Sequence, residues 1–257
     1  MKIREKRIPW RKSEIKNRVP SNKGKEWTPT YGKGYNLDKK QHTIKPLLER
    51  METRGILGET IMDIGSGSIK MYESEPVGTN PKERITSMGS GIFYPAKGKK
   101  IVRVDIGLPA PIRTKKGIVE IKADAENLRP ETFSDKVRFV QAARHLGISP
   151  RSRKKPVDSV LMSAVLNYVD FRKAITEASR YLKRGGRIII HNEPGRGFSK
   201  LFSQKGAHSN HELVRAVEEL GFEIEFLAKE SNHPKEYPFV EKVSDEEGIN
   251  LVAIKKK

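Results

Sequence analysis

Short apolar runs alternate with amphipathic segments along most of the chain. Apolar residues spaced three and four positions apart predict helices, whereas short runs rich in Val and Ile predict buried strands. The predicted helices are Gln41–Arg54, Phe133–His145, Phe171–Leu182 and Ser209–Leu220. The seven predicted strands are Thr60–Ile64, Lys100–Ile106, Val119–Ala123, Val157–Met162, Arg187–His191, Glu223–Leu227 and Ile249–Ile254. Strands that alternate with helices are typical of βαβ units, so we expect an α/β fold with a mainly parallel sheet.

The first 40 residues have a different character. They contain three prolines and several glycines but no sustained apolar period, which predicts an irregular N-terminal extension over residues 1–40. The remaining residues, 41–257, are expected to form one domain. Two long intervals in it hold no predicted strand, and we interpret them as insertions near residues 73–99 and 129–156.

The chain is strongly basic. It has 51 Lys and Arg against 32 Asp and Glu, a net charge of +19, and residues 1–54 hold 16 of these cations against 6 acids. Such an excess favours polyanionic partners, chiefly RNA, through release of counterions. The alternative is that the charge only keeps the protein dispersed.

Two groups of residues are candidates for contact with an anionic partner. Trp10 and Trp27 lie among the cations of the extension, where aromatic rings are typical of base stacking, although both rings equally suit packing on the domain. A basic cluster in the second insertion is the other candidate, unless it is a solvated charged loop. Its members are Arg151, Arg153, Lys154 and Lys155.

The composition argues against several classes of site and location. The chain has no Cys, which excludes disulfides, thiolate metal ligands and a Cys nucleophile. His208 and His211 show no metal-ligand spacing with carboxylates, so we expect no metal. No apolar run is long enough to span a bilayer, so we expect a cytoplasmic protein without a membrane partner. The oligomeric state is left open.

The most informative motif is a strand that runs into a glycine-rich turn, Asp63-Ile64-Gly65-Ser66-Gly67. Glycine allows positive φ and a close approach of the backbone to a ligand, and ligands of open α/β sheets bind at the carboxyl ends of strands. Acids follow two later strands, at Asp105 and Asp124. By itself the turn is equally consistent with an ordinary strand-to-helix connection or a dinucleotide site.

The order of these segments resembles the class I S-adenosylmethionine-dependent methyltransferases from about Tyr35 to Lys257. The most specific part of the resemblance is the segment Tyr181–Ile190, whose Gly185-Gly186 turn is similar to the turn before the family's fifth strand. The resemblance implies a Rossmann-like, seven-stranded, mostly parallel sheet with helices on both faces. It also implies S-adenosylmethionine as the cofactor.

The resemblance also implies which residues contact that cofactor. The glycine turn would meet its methionine part, the acid after the second strand its ribose, and the acid after the third strand its adenine, while an aromatic residue before the first helix would cover it. Carried over to this chain, the residues are Asp63, Gly65, Ser66, Gly67, Asp105, Ile106, Asp124, Ala125, Ser163 and Tyr35. The chain departs from the family at Ile69, where a third glycine is common.

The resemblance implies methyl transfer to an O or N atom, with the acceptor unidentified. The absence of Cys excludes C5-pyrimidine methylation through a Cys adduct, and Ser163–Tyr168 lacks the Pro-Pro-aromatic motif of enzymes that methylate base amino groups. RNA or an RNA–protein particle, a small molecule, and non-catalytic RNA binding by the same fold all stay open. His191 is a weak candidate for a general base, with a purely structural histidine as the alternative.

Overall fold

A single sheet of nine strands organises the domain. The computed structural model describes residues 37–65, 99–105, 112–115, 118–121, 123–128, 157–163, 165–194 and 203–256. The strands are β1 (Thr60–Ile64), β2 (Lys100–Val104), β3 (Ile112–Lys115), β4 (Ile118–Ile121), β5 (Val157–Ser163), β6 (Leu182–Asn192), β7 (Phe222–Lys229), β8 (Phe239–Val240) and β9 (Ile249–Lys255). The described helices are α1 (Leu37–Thr53), α2 (Phe171–Ser179) and α3 (Asn210–Glu219).

The strand order is β3-β4-β2-β1-β5-β6-β9-β7-β8. The strands from β4 to β6 in this order pair in parallel, while β9 runs antiparallel to both β6 and β7. All seven predicted strands are present and adjacent, which confirms the expected α/β fold. The sheet has nine strands rather than seven because β3 adds an antiparallel edge to β4 and the two-residue β8 adds the other edge. Both are too short to give a clear hydrophobic period.

The three largest differences from the predicted element boundaries are as follows. The first helix begins at Leu37 rather than Gln41, and α2 ends at Ser179 rather than Leu182. Strand β6 begins at Leu182 because its first residue pairs with Val157 before the glycine turn, where Gly185 has φ +70°. The predicted helix Phe133–His145, the extension over residues 1–36 and most of both insertions lie outside the described residues.

Helices α2 and α3 begin at side-chain caps. The Asp170 carboxylate accepts a hydrogen bond from the backbone N–H of Lys173, and Ser209 Oγ accepts one from the N–H of Glu212 at 3.2 Å. These bonds satisfy N–H groups that the helix itself leaves without partners. Of the helices that the structure describes, none is sufficiently long and apolar for a membrane span.

Apolar side chains cover both faces of the sheet. On one face, α1 packs Leu47, Leu48 and Met51 into a cluster that includes Ile61 and Leu161 of the central strands. On the other face, α2 and α3 bury their apolar residues against alternate positions of the same strands. The members include Met62, Val160, Ala174, Ile175, Ile188, Leu213 and Val217. The strands are therefore buried on both sides, as parallel sheets require.

Asp158 ties the amino ends of three strands together. Its Oδ2 accepts hydrogen bonds from the backbone N–H groups of Glu59 (3.0 Å) and Thr60 (2.9 Å), and its Oδ1 accepts one from Lys183 Nζ (2.7 Å). Burial by itself would raise the pKa of Asp158. The bond from Lys183 and those from the two backbone groups outweigh it, so the pKa lies below its ordinary value. The carboxylate therefore stays ionised and holds β1, β5 and the start of β6 in register.

A buried ion pair crosses the other half of the sheet. Arg103 Nη1 of β2 donates to Glu120 Oε1 of β4 at 2.6 Å, and both side chains are 2% exposed or less. The pairing register places Asp63 of β1 directly beside Arg103, on the side opposite Glu120. The guanidinium thus lies between carboxylates of its two neighbouring strands, on a face that is otherwise apolar.

We expect the substitution Arg103→Met to lower the free energy of unfolding by about 3–5 kcal/mol, because it leaves a buried carboxylate without its partner. Urea unfolding monitored by circular dichroism measures this. The matched control is Arg172→Met, which removes an exposed ion pair with Glu219 and should cost less than about 1 kcal/mol. Equal losses in the two variants would contradict the role given to Arg103.

Candidate active site

Carboxylates gather where the strands end. Asp63 belongs to β1, Asp105 directly follows β2, Asp124 follows β4, Glu193 directly follows β6, and Glu230 directly follows β7. These five strands run in the same direction, so their carboxyl ends share one edge of the sheet. Ligands of open α/β sheets bind at this edge, in the crevice where the chain reverses its order of strands. Here that point lies between β1 and β5.

Gly65 begins the turn after β1, and its conformation requires glycine. Its φ is +74°, and a Cβ placed there would lie 2.5 Å from Val165 Cγ2. The N–H of Gly65 donates to the carbonyl of Val104 at 2.8 Å, which extends the pairing of β1 with β2. The segment after β5 therefore packs directly on the glycine turn.

The two acids expected at the ribose and the adenine lie on the same side of this turn. The N–H of Asp105 donates to the carbonyl of Ile121 at 3.2 Å, and the side chain is half-buried. Asp124 Oδ1 accepts from the N–H of Glu126 at 2.9 Å, which fixes a tight turn. The side chain of Ala125 is buried in the core. Its expected contact with adenine stays a prediction.

On the other side of the crevice, one row of side chains crosses three strands. Ser163 of β5 pairs with His191 of β6, which pairs with Asn250 of β9. His191 Nδ1 lies 3.1 Å from Asn250 Oδ1, and Nε2 lies 3.5 Å from Glu193 Oε1. His191 is completely buried, so an acceptor could pass a proton to it only through a neighbouring group. Its role as a base stays a prediction.

The segment after β5 connects the glycine turn to this row. Asn167 Nδ2 donates to the carbonyl of Glu193, and the N–H of Ser203 donates to the carbonyl of Asn167 at 3.0 Å. Tyr168 next to it is 45% exposed. Partial burial, and then the negative charge of Glu193, raises the pKa of Tyr168, so its hydroxyl stays protonated. The segment is thus a loop fixed by the side-chain amide of Asn167, and it places the neutral phenol of Tyr168 at the crevice.

Sequence reasoning missed Val165, Glu230 and Asn250. Glu230 carries the same signal as Asp105, an acid directly after a strand, but that strand is remote in sequence. The remaining predicted site residues lie outside the described part of the chain and stay predictions: Trp10, Trp27, Tyr35, Ser66, Gly67, Ile106, Arg151, Arg153, Lys154 and Lys155.

Comparison with known families agrees with the fold and the motifs. A family model described as a methyltransferase domain matches residues 89–190, which include Asp105, Asp124 and Ser163. Over this region the chain is similar to the class I S-adenosylmethionine-dependent methyltransferases. The matched region begins after the glycine turn, so the role of Gly65 rests on its position in the sheet. No curated protein sequence is detectably similar to the chain.

Solved structures show the same fold at low identity. The 1,6-didemethyltoxoflavin-N1-methyltransferase of Burkholderia thailandensis has a TM-score of 0.50 at 10% identity, covering 89% of this chain and 84% of that one. The N-methyltransferase NodS of Bradyrhizobium japonicum has a TM-score of 0.50 at 13% identity, covering 86% and 89%. Both structures contain S-adenosylhomocysteine.

We expect Gly65→Ala to destabilise the methyltransferase more than Gly55→Ala. Gly55 also has positive φ, at +67°, but nothing lies within 4 Å of a Cβ there. Both variants carry the backbone penalty of about 1–2 kcal/mol, whereas only the first forces the new methyl group against Val165, for about 1–3 kcal/mol more. Urea unfolding of both variants measures the difference, and equal destabilisation would contradict the close packing of Val165 on the turn.

Proposed function

We propose that this methyltransferase moves the methyl group of S-adenosylmethionine to an O or N atom of an acceptor held above β5 and β6. The observation that carries the proposal is the shared carboxyl edge, where Gly65, Asp105 and Asp124 lie beside the point at which the strand order reverses. Ser163 and the loop after β5 line the same crevice from the other side. These residues come from four strands and meet only through the fold.

The described residues fit the cofactor. Gly65 turns the chain at the end of β1 with a positive φ, and Val165 occupies the space where a side chain would lie. Asp105 offers a half-buried carboxylate to which ribose hydroxyls can donate. The backbone of Ala125 and the carboxylate of Asp124 border the position of an adenine edge. When bound, S-adenosylmethionine supplies a methyl group on an electrophilic sulfonium. The protein's contribution is then to orient the acceptor in line and exclude water, which needs no special catalytic group.

The charge of the described crevice favours an uncharged or cationic acceptor. Asp105, Asp124, Glu193 and Glu230 all end strands at this edge, and a phosphate close to them would be repelled. A nitrogen atom of a small molecule fits this field. The two solved enzymes of similar fold are both named N-methyltransferases, which supports a nitrogen acceptor as the first class to test.

We expect Asp105→Ala to weaken binding of S-adenosylhomocysteine by about 10–100-fold, the value of one or two hydrogen bonds to a charged group. Isothermal titration calorimetry measures the affinity without any knowledge of the acceptor. The control is Glu219→Gln, an exposed carboxylate on α3 far from the edge, which should bind as the wild type does. Absence of binding to the wild-type chain would refute the cofactor assignment itself.

RNA association is a second candidate function, and one specific observation favours it. Residues 1–54 carry 16 Lys and Arg against 6 Asp and Glu, and the whole chain has a net charge of +19. We propose that this charge attaches the protein to RNA, either to bring an RNA acceptor to the crevice or to serve as the function of a non-catalytic protein with this fold.

If the cations neutralise phosphates, the logarithm of RNA affinity should fall linearly with the logarithm of salt concentration, with a slope of roughly −0.7 for each phosphate on a single strand. Fluorescence anisotropy with a single-stranded RNA measures the slope. A variant lacking residues 1–34 should show a shallower one. Weak binding with little dependence on salt would leave the small-molecule acceptor as the remaining candidate.

A further inference from the structure

Three ligand-type side chains converge at the carboxyl ends of β6 and β7. A ring nitrogen of His191 and carboxylate oxygens of Glu193 and Glu230 all lie within 4.8 Å of one another. The histidine is completely buried, whereas both carboxylates are partly exposed. The cluster therefore has a buried inner side and an outer side that solvent reaches.

The histidine ring is held in the orientation and tautomer that a metal ligand needs. Because Nδ1 lies 3.1 Å from Asn250 Oδ1, which can only accept, the ring proton is placed on Nδ1. Nε2 then carries the lone pair and lies 3.5 Å from Glu193 Oε1. Among the described residues Nε2 is a buried nitrogen without a hydrogen-bond partner. A lone pair aimed at carboxylates is unfavourable unless a cation, or a proton on Nε2, lies between them.

Hydrogen bonds fix the backbone of both acidic residues. The carbonyl of Glu193 accepts from Asn167 Nδ2, and the N–H of Glu230 donates to the carbonyl of Gly248 at 2.7 Å. A Cβ at position 248 would lie 2.3 Å from Glu230 Oε2, so the carboxylate occupies space that only glycine leaves open. Lys229, the neighbouring cation, pairs instead with Glu247 at 3.1 Å.

From this arrangement we propose that His191, Glu193 and Glu230 bind one divalent transition-metal cation beside the acceptor side of the crevice. One imidazole with two carboxylates suits Zn²⁺ and Mn²⁺ better than Mg²⁺, which prefers an all-oxygen shell. In the tetrahedral geometry of zinc, bonds of about 2.0–2.2 Å put ligand atoms about 3.3–3.6 Å apart, so closure on an ion needs movements of up to roughly 1.3 Å. The partly exposed carboxylates leave the outer coordination positions to exchangeable ligands. The sequence alone predicted no metal, because Glu230 is remote from His191 along the chain.

The test is calorimetric titration of the full-length protein with Zn²⁺ and, separately, with Mn²⁺, in the absence of cofactor and acceptor. We expect one site per chain, and in Glu230→Gln an affinity lower by more than about tenfold, since even partners outside the ligand set cost 10–100-fold. Glu247→Gln, a nearby carboxylate outside the cluster, should bind as the wild type does. Because neither cofactor nor acceptor is present, failure of methyl transfer would not affect the result.

A second variant keeps every ligand and changes only the space beside Glu230 and Glu193. Gly248→Ala should displace the Glu230 carboxylate and weaken metal binding, while circular dichroism and thermal unfolding without metal show whether the fold persists. Co²⁺ bound to His191 should also give visible absorption that His191→Asn lacks. Equal metal affinity in wild type, Glu230→Gln and Gly248→Ala would overturn the proposal. So would nitrogen-15 spectra showing both ring nitrogens of His191 protonated whether or not metal is added.

Discussion

The sheet depends on one buried cation. Arg103 is almost completely enclosed on an apolar face, with Glu120 at 2.6 Å on one neighbouring strand and Asp63 in register on the other. A shift of β1 or β4 by one residue would turn the carboxylate to the opposite face and leave the guanidinium without compensation. Apolar side chains tolerate small shifts in strand register, whereas the row of Asp63, Arg103 and Glu120 does not. Charge pairing within a hydrophobic layer thus fixes the register of β1, β2 and β4.

That register has a direct effect at the edge of the sheet. With β1, β2 and β4 aligned, Gly65, Asp105 and Asp124 lie at the same carboxyl edge of the sheet, where open α/β sheets bind their ligands. On the other half of the sheet, Asp158 fixes the amino ends of the strands, so the loop that begins at Val165 returns onto Gly65. Both sides of the crevice are therefore aligned by polar groups that lie away from the carboxyl edge of the sheet.

Sequence periodicity predicted the seven central strands because each buries alternating or continuous apolar residues against two helical layers. It failed at β3 and β8, where two to four residues carry too little pattern. The turns at Gly65 and Gly185 could be predicted from the sequence, and both residues have positive φ in the structure. The proximity of His191 and Glu230 could not be predicted from the sequence, because it depends on the insertion of β9 between β6 and β7. The spacing of residues along the chain does not indicate that insertion.

The position of β9 also shapes how the chain must fold. Strands β6 and β7 are synthesised before Ile249–Lys255, yet they pair with it and not with each other. Until β9 arrives, both expose unpaired edges, and direct pairing between them would be a non-native alternative that excludes it. The crevice reaches its final form only after this step, because Asn250 supports His191 from β9. Completion of the sheet and completion of the site are consequently the same folding event.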